Sequence, residues 1–288
     1  MLKYFRSSGR YFLKTFLYVI WAWIPAAVLP AFIGNPLGPL TFLFKYYELC
    51  SSPDFAGTPE SVGKPYLTLI KGVFGNITWW TLPLFFLVIL FFVSFHVGLI
   101  ETHLKSGRFG YRKPFKRIND SITAVFPVVV FLFVCLTVFI FLDSGLILLL
   151  HTIISGTNNL PNAGDIAVVS ILQVALYVFF VWIFAAATLF IPCSLILGYP
   201  TRGSAGYAVT LFRDIRKGYF TAAFLPLLFA FLPLSILTIY NVPDFVMIIV
   251  NTVFYALAGH YYNCLAFTAF YEHTGLERRD NLRGFHNN

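Results

Sequence analysis

The chain has 288 residues, of which 58% are hydrophobic, 19% aromatic and 11% charged, with a formal net charge of +8. A soluble domain carries roughly 25% charged residues, so this excess of apolar side chains cannot all be buried inside a water-exposed core. The apolar residues fall into nearly uncharged blocks about 20 or more residues long, the length that crosses a bilayer, which excludes a soluble enzyme, a disordered tail and a disulfide-stapled domain.

The first predicted span covers 11–33, opened by Lys3, Arg6, Arg10 and Lys14 and carrying Pro25 and Pro30 toward its far end. It outlasts a signal-peptide core and no small-residue cleavage site follows, so it is expected to be retained. Residues 34–78 form the expected external loop. Spans two and three cover 79–100 and 122–142, joined by a basic cytoplasmic loop at 101–121. The apolar run from Ile122 to Ser155 is too long for one crossing; Asp143, Ser144 and Gly145 offer a breakpoint, leaving 146–154 as a short surface helix or re-entrant piece. Span four, 166–197, is also overlong, with Pro192 as its kink. A cytoplasmic loop at 198–218 leads to spans five and six, 219–240 and 246–270, and a cytoplasmic tail at 271–288.

The predicted fold is all-α: a polytopic bundle of six transmembrane helices, both termini cytoplasmic, in the inner membrane of a bacterium. Charge placement supports this orientation. With the N-terminus inside, Lys45, Lys64 and Lys71 alone among the Lys and Arg residues fall outside, as the bias of cytoplasmic loops toward cations requires. The basic balance reports topology and implies no nucleic-acid partner.

A short basic, amphipathic stretch introduces each odd-numbered span: Phe5 and Arg6, then Phe115, Lys116 and Arg117, then Phe212, Arg213 and Asp214. Three helical hairpins with basic entry helices are therefore expected. Arg108, Arg112, Lys113, Lys116 and Arg117, with Arg213, Arg216 and Lys217, are candidates to lie along anionic headgroups, each contributing roughly 1 kcal/mol near such a surface. The alternative is that they only set topology. Residues 104–134 and 202–234 resemble bacterial proteins related to the membrane domain of glycerophosphodiester phosphodiesterases, in which a small-residue turn leads into an amphipathic helix, a Lys- or Arg-Gly and the next span; here these are Gly203 to Gly206, the stretch around Phe212 and Arg213, and Lys217-Gly218. The resemblance implies a six-helix membrane domain of unassigned activity. The catalytic barrel of that family has no counterpart, and no phosphodiesterase activity is implied.

Chemistry inside the spans is sparse. An imidazole within hydrocarbon needs a partner, and His96 and His260 fall at similar depths in spans two and six. They can face one another as a proton relay or a metal pair, with Cys264 one turn beyond His260 as the nearest third ligand, or serve as polar packing. Gln173 and Asn251 are the remaining polar intrusions, expected to hydrogen-bond between helices. No Asp or Glu lies mid-span, which argues against an ion-coupled carrier. Pro25, Pro127, Pro192, Pro226 and Pro233 favour a kinked bundle that can enclose a cavity. No catalytic residue, metal centre or cofactor is indicated.

The leading functional expectation is a non-enzymatic membrane domain that organises lipid, including anionic phospholipid, or a membrane or ATPase partner subunit at the inner leaflet. A transporter or permease subunit for a small or lipid-like substrate is the alternative, and an intramembrane enzyme built on His96 and His260 comes third.

Overall fold

The computed structural model describes residues 2–33, 81–109, 111, 113–157, 163–237 and 242–280, and every regular element within them is helical. The predicted external loop at 34–78, Arg112 and the tail beyond 280 lie outside the described residues.

Helix α1, Leu2–Val19, buries one stripe, Ser8, Tyr11, Thr15 and Val19, at the spacing of an amphipathic helix. Its outward side mixes Lys3, Arg6, Arg10 and Lys14 with exposed Leu13 and Leu17. The helix then tightens into a 3-10 turn at Ile20–Ala22 before α2, Ile24–Ile33. Pro25 accounts for the break: it cannot donate to the preceding turn, yet it fits the first turn of a new helix. The expected first span at 11–33 is thus divided, with its amphipathic entry portion separate from its apolar portion.

Helix α3, Thr81–Ser106, packs against α4, Pro114–Thr157. Gly98 permits their close approach. A Cβ there would stand 2.9 Å from Ser121 Oγ and 3.1 Å from the Arg117 backbone oxygen. Helix α4 runs unbroken for 44 residues, through Pro127 and through Asp143, Ser144 and Gly145. The expected breakpoint is therefore absent, because α5, Ala163–Thr188, packs against α4 and buries both Asp143 and Ser144; the Phe139 and Phe180 rings meet at 4.8 Å. The entry stretch from Pro114 is continuous with the span, since nothing interrupts the i to i−4 ladder between them.

The other expected break is present. Pro192 has no N–H to offer the Thr188 carbonyl, and the helix stops at Thr188 and resumes as α6, Phe190–Leu197. Gly198, at φ 65°, caps α6 in the left-handed conformation that a residue with a Cβ rarely adopts. Helix α7, Thr201–Leu237, then joins the third basic stretch to the following apolar run without interruption.

Helix α8, Asp244–Thr274, is the hub, packing against α1, α2, α3, α5, α6 and α7. Its tyrosines fasten it to α7: Tyr261 donates to the Ala222 carbonyl at 2.9 Å and Tyr262 to that of Ala223. Among the described residues, four helical segments are long and apolar enough to cross a bilayer: Pro83–Ser106, Pro114–Leu146, Ser170–Leu197 and Phe245–Thr274. Large apolar side chains project outward along them, including Phe131, Phe141 and Ile171. This is a membrane-embedded helical protein.

Candidate functional site: a histidine chain beside an apolar cavity

His96 on α3 and His260 on α8 meet in the core, both fully buried. His96 Nε2 lies 2.9 Å from His260 Nδ1, with the rings edge to face at 82°. The contact extends in both directions. Asn263, less than one helical turn beyond His260, places its amide nitrogen 3.1 Å from His96 Nδ1. On the other side, His260 Nε2 lies 3.3 Å from Thr15 Oγ1 of α1, and Thr15 donates to the Tyr11 carbonyl at 2.8 Å.

The donors and acceptors of this chain are mutually consistent. An amide N–H donates to His96 Nδ1; His96 Nε2–H donates to His260 Nδ1; His260 Nε2–H donates to Thr15. In this assignment each ring accepts at one nitrogen and donates at the other. Trp23 seats its ring edgewise on His96 at 5.1 Å and Phe12 lies 5.0 Å from His260, fixing the ring planes. Cys264 Sγ is 3.8 Å from both His260 Nδ1 and Thr15 Oγ1. Among the described residues no group of three or more His, Cys, Asp or Glu side chains is placed to hold a metal ion.

A third histidine belongs to the same neighbourhood. His103 is buried on α3, with its Nδ1 3.0 Å from the Tyr11 phenol, and it stacks on Phe109 at 4.1 Å and 6°. Phe109 stacks in turn on Tyr18, and Tyr111 donates to the Tyr18 carbonyl at 2.6 Å. This column seats the α3–α4 turn on α1. The sequence signal was the crowding of aromatics at 109–111; the missing element was the α1 face that receives them.

Next to the histidine chain lies a cavity of about 290 Å³, walled by residues of α2, α3, α4, α5 and α8, with Ile191 of α6 and Leu227 of α7. Its lining is almost wholly apolar, as Val128, Leu132, Phe133 and Phe184 illustrate, and its polar exceptions include Thr188, Tyr177 and Asn263. Asn263 therefore has one face in the cavity and one on His96. Thr188 ends α5 after Ala185, Ala186 and Ala187, and its hydroxyl meets Tyr219 at 3.0 Å.

The remaining candidates divide between two places. Gln173 and Asn251 are both buried. Gln173 on α5 is set against the Asp143 carboxyl of α4, yet neither amide atom reaches hydrogen-bond geometry. The predicted basic residues are at the surface: Arg108, Lys113 and Lys116 are exposed and Arg117 is half-buried against α3. Arg213, Arg216 and Lys217 are brought together with Lys3 of α1 around a recess of about 570 Å³. A neighbouring recess of about 720 Å³ is lined by Arg6, Arg10, Tyr11, Lys14, Arg278 and Asp280, among others. Both recesses lie at the end of the bundle where α1 begins and α8 ends, joined there by Lys3 and Glu272 at 3.7 Å.

No family model matches the chain, and no curated protein or solved structure was found to be similar to it.

Proposed function

We propose that the protein binds a small apolar or lipid-like molecule inside its bundle, as a transporter or permease subunit does. The cavity of about 290 Å³ among seven helices carries this reading: it is large against the single-water voids of a close-packed interior, and its few polar groups can orient a ligand that is otherwise apolar. In this reading the chain crosses a bacterial inner membrane six times, as three hairpins with both termini cytoplasmic, residues 11–33 and the later part of α7 supplying the crossings beyond the four long apolar segments. The resemblance of 202–234 to membrane domains of the phosphodiesterase group agrees with such a scaffold.

Filling the cavity tests it. Val128→Trp is expected to abolish a lipid-mass adduct that wild-type protein, extracted from vesicles of defined phospholipids, retains in native mass spectrometry. A wild-type protein that carries no adduct, or a variant that carries the same one, would count against a cavity ligand.

A second reading, that the protein organises anionic lipid at the inner leaflet, is favoured by the convergence of Lys3 with Arg213, Arg216 and Lys217. Replacing any one of these by glutamine is expected to weaken retention of anionic phospholipid by roughly 1 kcal/mol, measured as the fraction of phosphatidylglycerol co-purified from mixed vesicles; an unchanged fraction would remove the idea. The same cluster yields a topology prediction. Cysteines introduced at 3 and 213 are expected to react with an impermeant maleimide from the same side of sealed vesicles.

A further inference from the structure

We propose that the cavity takes an uncharged single-chain lipid whose chain ends in an oxygen, a hydroxyl or a carbonyl, held by the Tyr177 phenol. It rests on the preceding reading that the cavity holds a ligand, and it names the class of that ligand.

The Tyr177 hydroxyl carries the proposal. Other polar groups of the lining are engaged with the protein: Thr188 donates to the Ala185 carbonyl at 2.9 Å and meets Tyr219, Tyr262 donates to the Ala223 carbonyl, the Trp23 indole N–H donates to the Tyr255 carbonyl at 3.1 Å, and the Asn263 amide contacts His96. Tyr177 lines the same cavity and is only 1% exposed, yet its hydroxyl has no hydrogen-bond partner among the described residues. It faces Tyr255 and Tyr262, two cavity-lining residues of α8. A phenol in this position has given up its water and gained no bond, a loss that an oxygen from a ligand reverses.

Charge narrows the class. Among the described residues that line the cavity there is no Asp, Glu, Lys, Arg or His, and Asp143, the buried acid of α4, lies two turns beyond the lining residue Leu136. A phosphate, carboxylate or ammonium group inside would therefore be desolvated with no counter-charge. Size narrows it further. At roughly 30 Å³ for a water-sized group, a cavity of about 290 Å³ accepts about ten methylene-sized groups, which is one chain and not two. The wall suits such a chain: Tyr177 and Thr188 stand eleven positions apart on α5, roughly 16 Å at ~1.5 Å per residue, and Phe180, Val181 and Phe184 line the interval. A phospholipid tail fills the same space but leaves Tyr177 unpaired, whereas an oxygen-ended chain satisfies both.

The test is photolabelling of the full chain in phosphatidylcholine vesicles with diazirine probes of about ten carbons. The probes differ only at one end, which is a hydroxyl, a methyl ketone, a methyl, a trimethylammonium or a sulfonate. Label on the lining residues Leu132, Val181 and Phe184, mapped by peptide mass spectrometry, is normalised to label on the outward Phe131 and Phe179. The hydroxyl and ketone probes are expected to exceed the other three about tenfold, the effect of one hydrogen bond to an otherwise unpaired donor. Tyr177→Phe removes only an oxygen that no protein group uses, so it is expected to fold as wild type does. It should lower hydroxyl and ketone labelling to the methyl level and leave methyl labelling unchanged. Equal labelling by oxygen-ended and methyl-ended probes, stronger labelling by a charged probe, or full hydroxyl and ketone labelling in Tyr177→Phe would overturn the ligand class with the cavity reading intact. Absence of label on the lining residues from every probe, or label that persists in Val128→Trp, would instead overturn the cavity reading and the ligand class together.

Discussion

Replacing Gly259 with alanine is expected to destabilise the bundle by about 3 kcal/mol or more, at the upper end of overpacking effects. The Trp23 indole lies directly on the Gly259 backbone: a Cβ there would fall 2.0 to 2.2 Å from three indole atoms, well inside contact distance. The ring cannot simply step aside. Its Nε1–H donates to the Tyr255 carbonyl at 3.1 Å, it seats against His96, and it follows immediately on the 3-10 turn that joins α1 to α2. Displacing it breaks a buried hydrogen bond and moves a wall of the cavity. Thermal unfolding in detergent checks the sign. A double-mutant cycle with Trp23→Ala checks the cause, since the alanine at 259 should cost little once the indole is gone. An unchanged midpoint in Gly259→Ala would refute the contact.

Asp280→Ala is expected to cost about 3–5 kcal/mol, the range for breaking a buried ion pair from one side. The Asp280 side chain is 1% exposed and accepts two hydrogen bonds from Arg278, from Nε and Nη2, each at 3.1 Å. Lys14 approaches the same carboxylate at 3.6 Å and donates to the Asp280 carbonyl at 2.5 Å. Arg278 meanwhile stacks over the Tyr11 ring at 5.2 Å, a cation–π contact that holds it where it can serve the carboxylate. Together these tie the segment after α8 back onto α1. Removing the carboxylate leaves Arg278 charged and largely enclosed. The unfolding midpoint should fall, and residues 275–280 should become susceptible to limited proteolysis; resistance equal to wild type would show that the clamp contributes nothing.

Much of the bundle was legible in the sequence because apolar length is read directly from composition. The blocks after 79, from 122, from 166 and from 246 correspond to the four segments with membrane-crossing character. The depth match between His96 and His260 could also be read, since each position counts from the end of its own span. What could not be read was partnership across helices. Nothing in the sequence singles out Asn263, and only the α3–α8 packing turns it toward His96 Nδ1. Tyr11 and His103 are separated by 92 positions, and no local periodicity links them. The break expected at Asp143 failed for a related reason. Glycine and serine beside a carboxylate suggest a turn when considered alone, but the facing surface of α5 buries them and keeps the helix intact. Pro192 did break its helix while Pro127 lies inside an unbroken α4: a missing N–H marks where a break can fall, and the surrounding packing decides whether it does.

The length of α4 has a consequence for how this protein meets different membranes. At ~1.5 Å per residue, Asp143 stands roughly 44 Å along the axis from Pro114, against a hydrocarbon core of ~30 Å. At an ordinary tilt of about 20° a rise of that length still exceeds the slab, so part of α4 stands beyond the hydrocarbon. Because α5 buries Asp143 inside the bundle, a change in bilayer thickness is met by tilting α4 and α5 together rather than by exposing this acid.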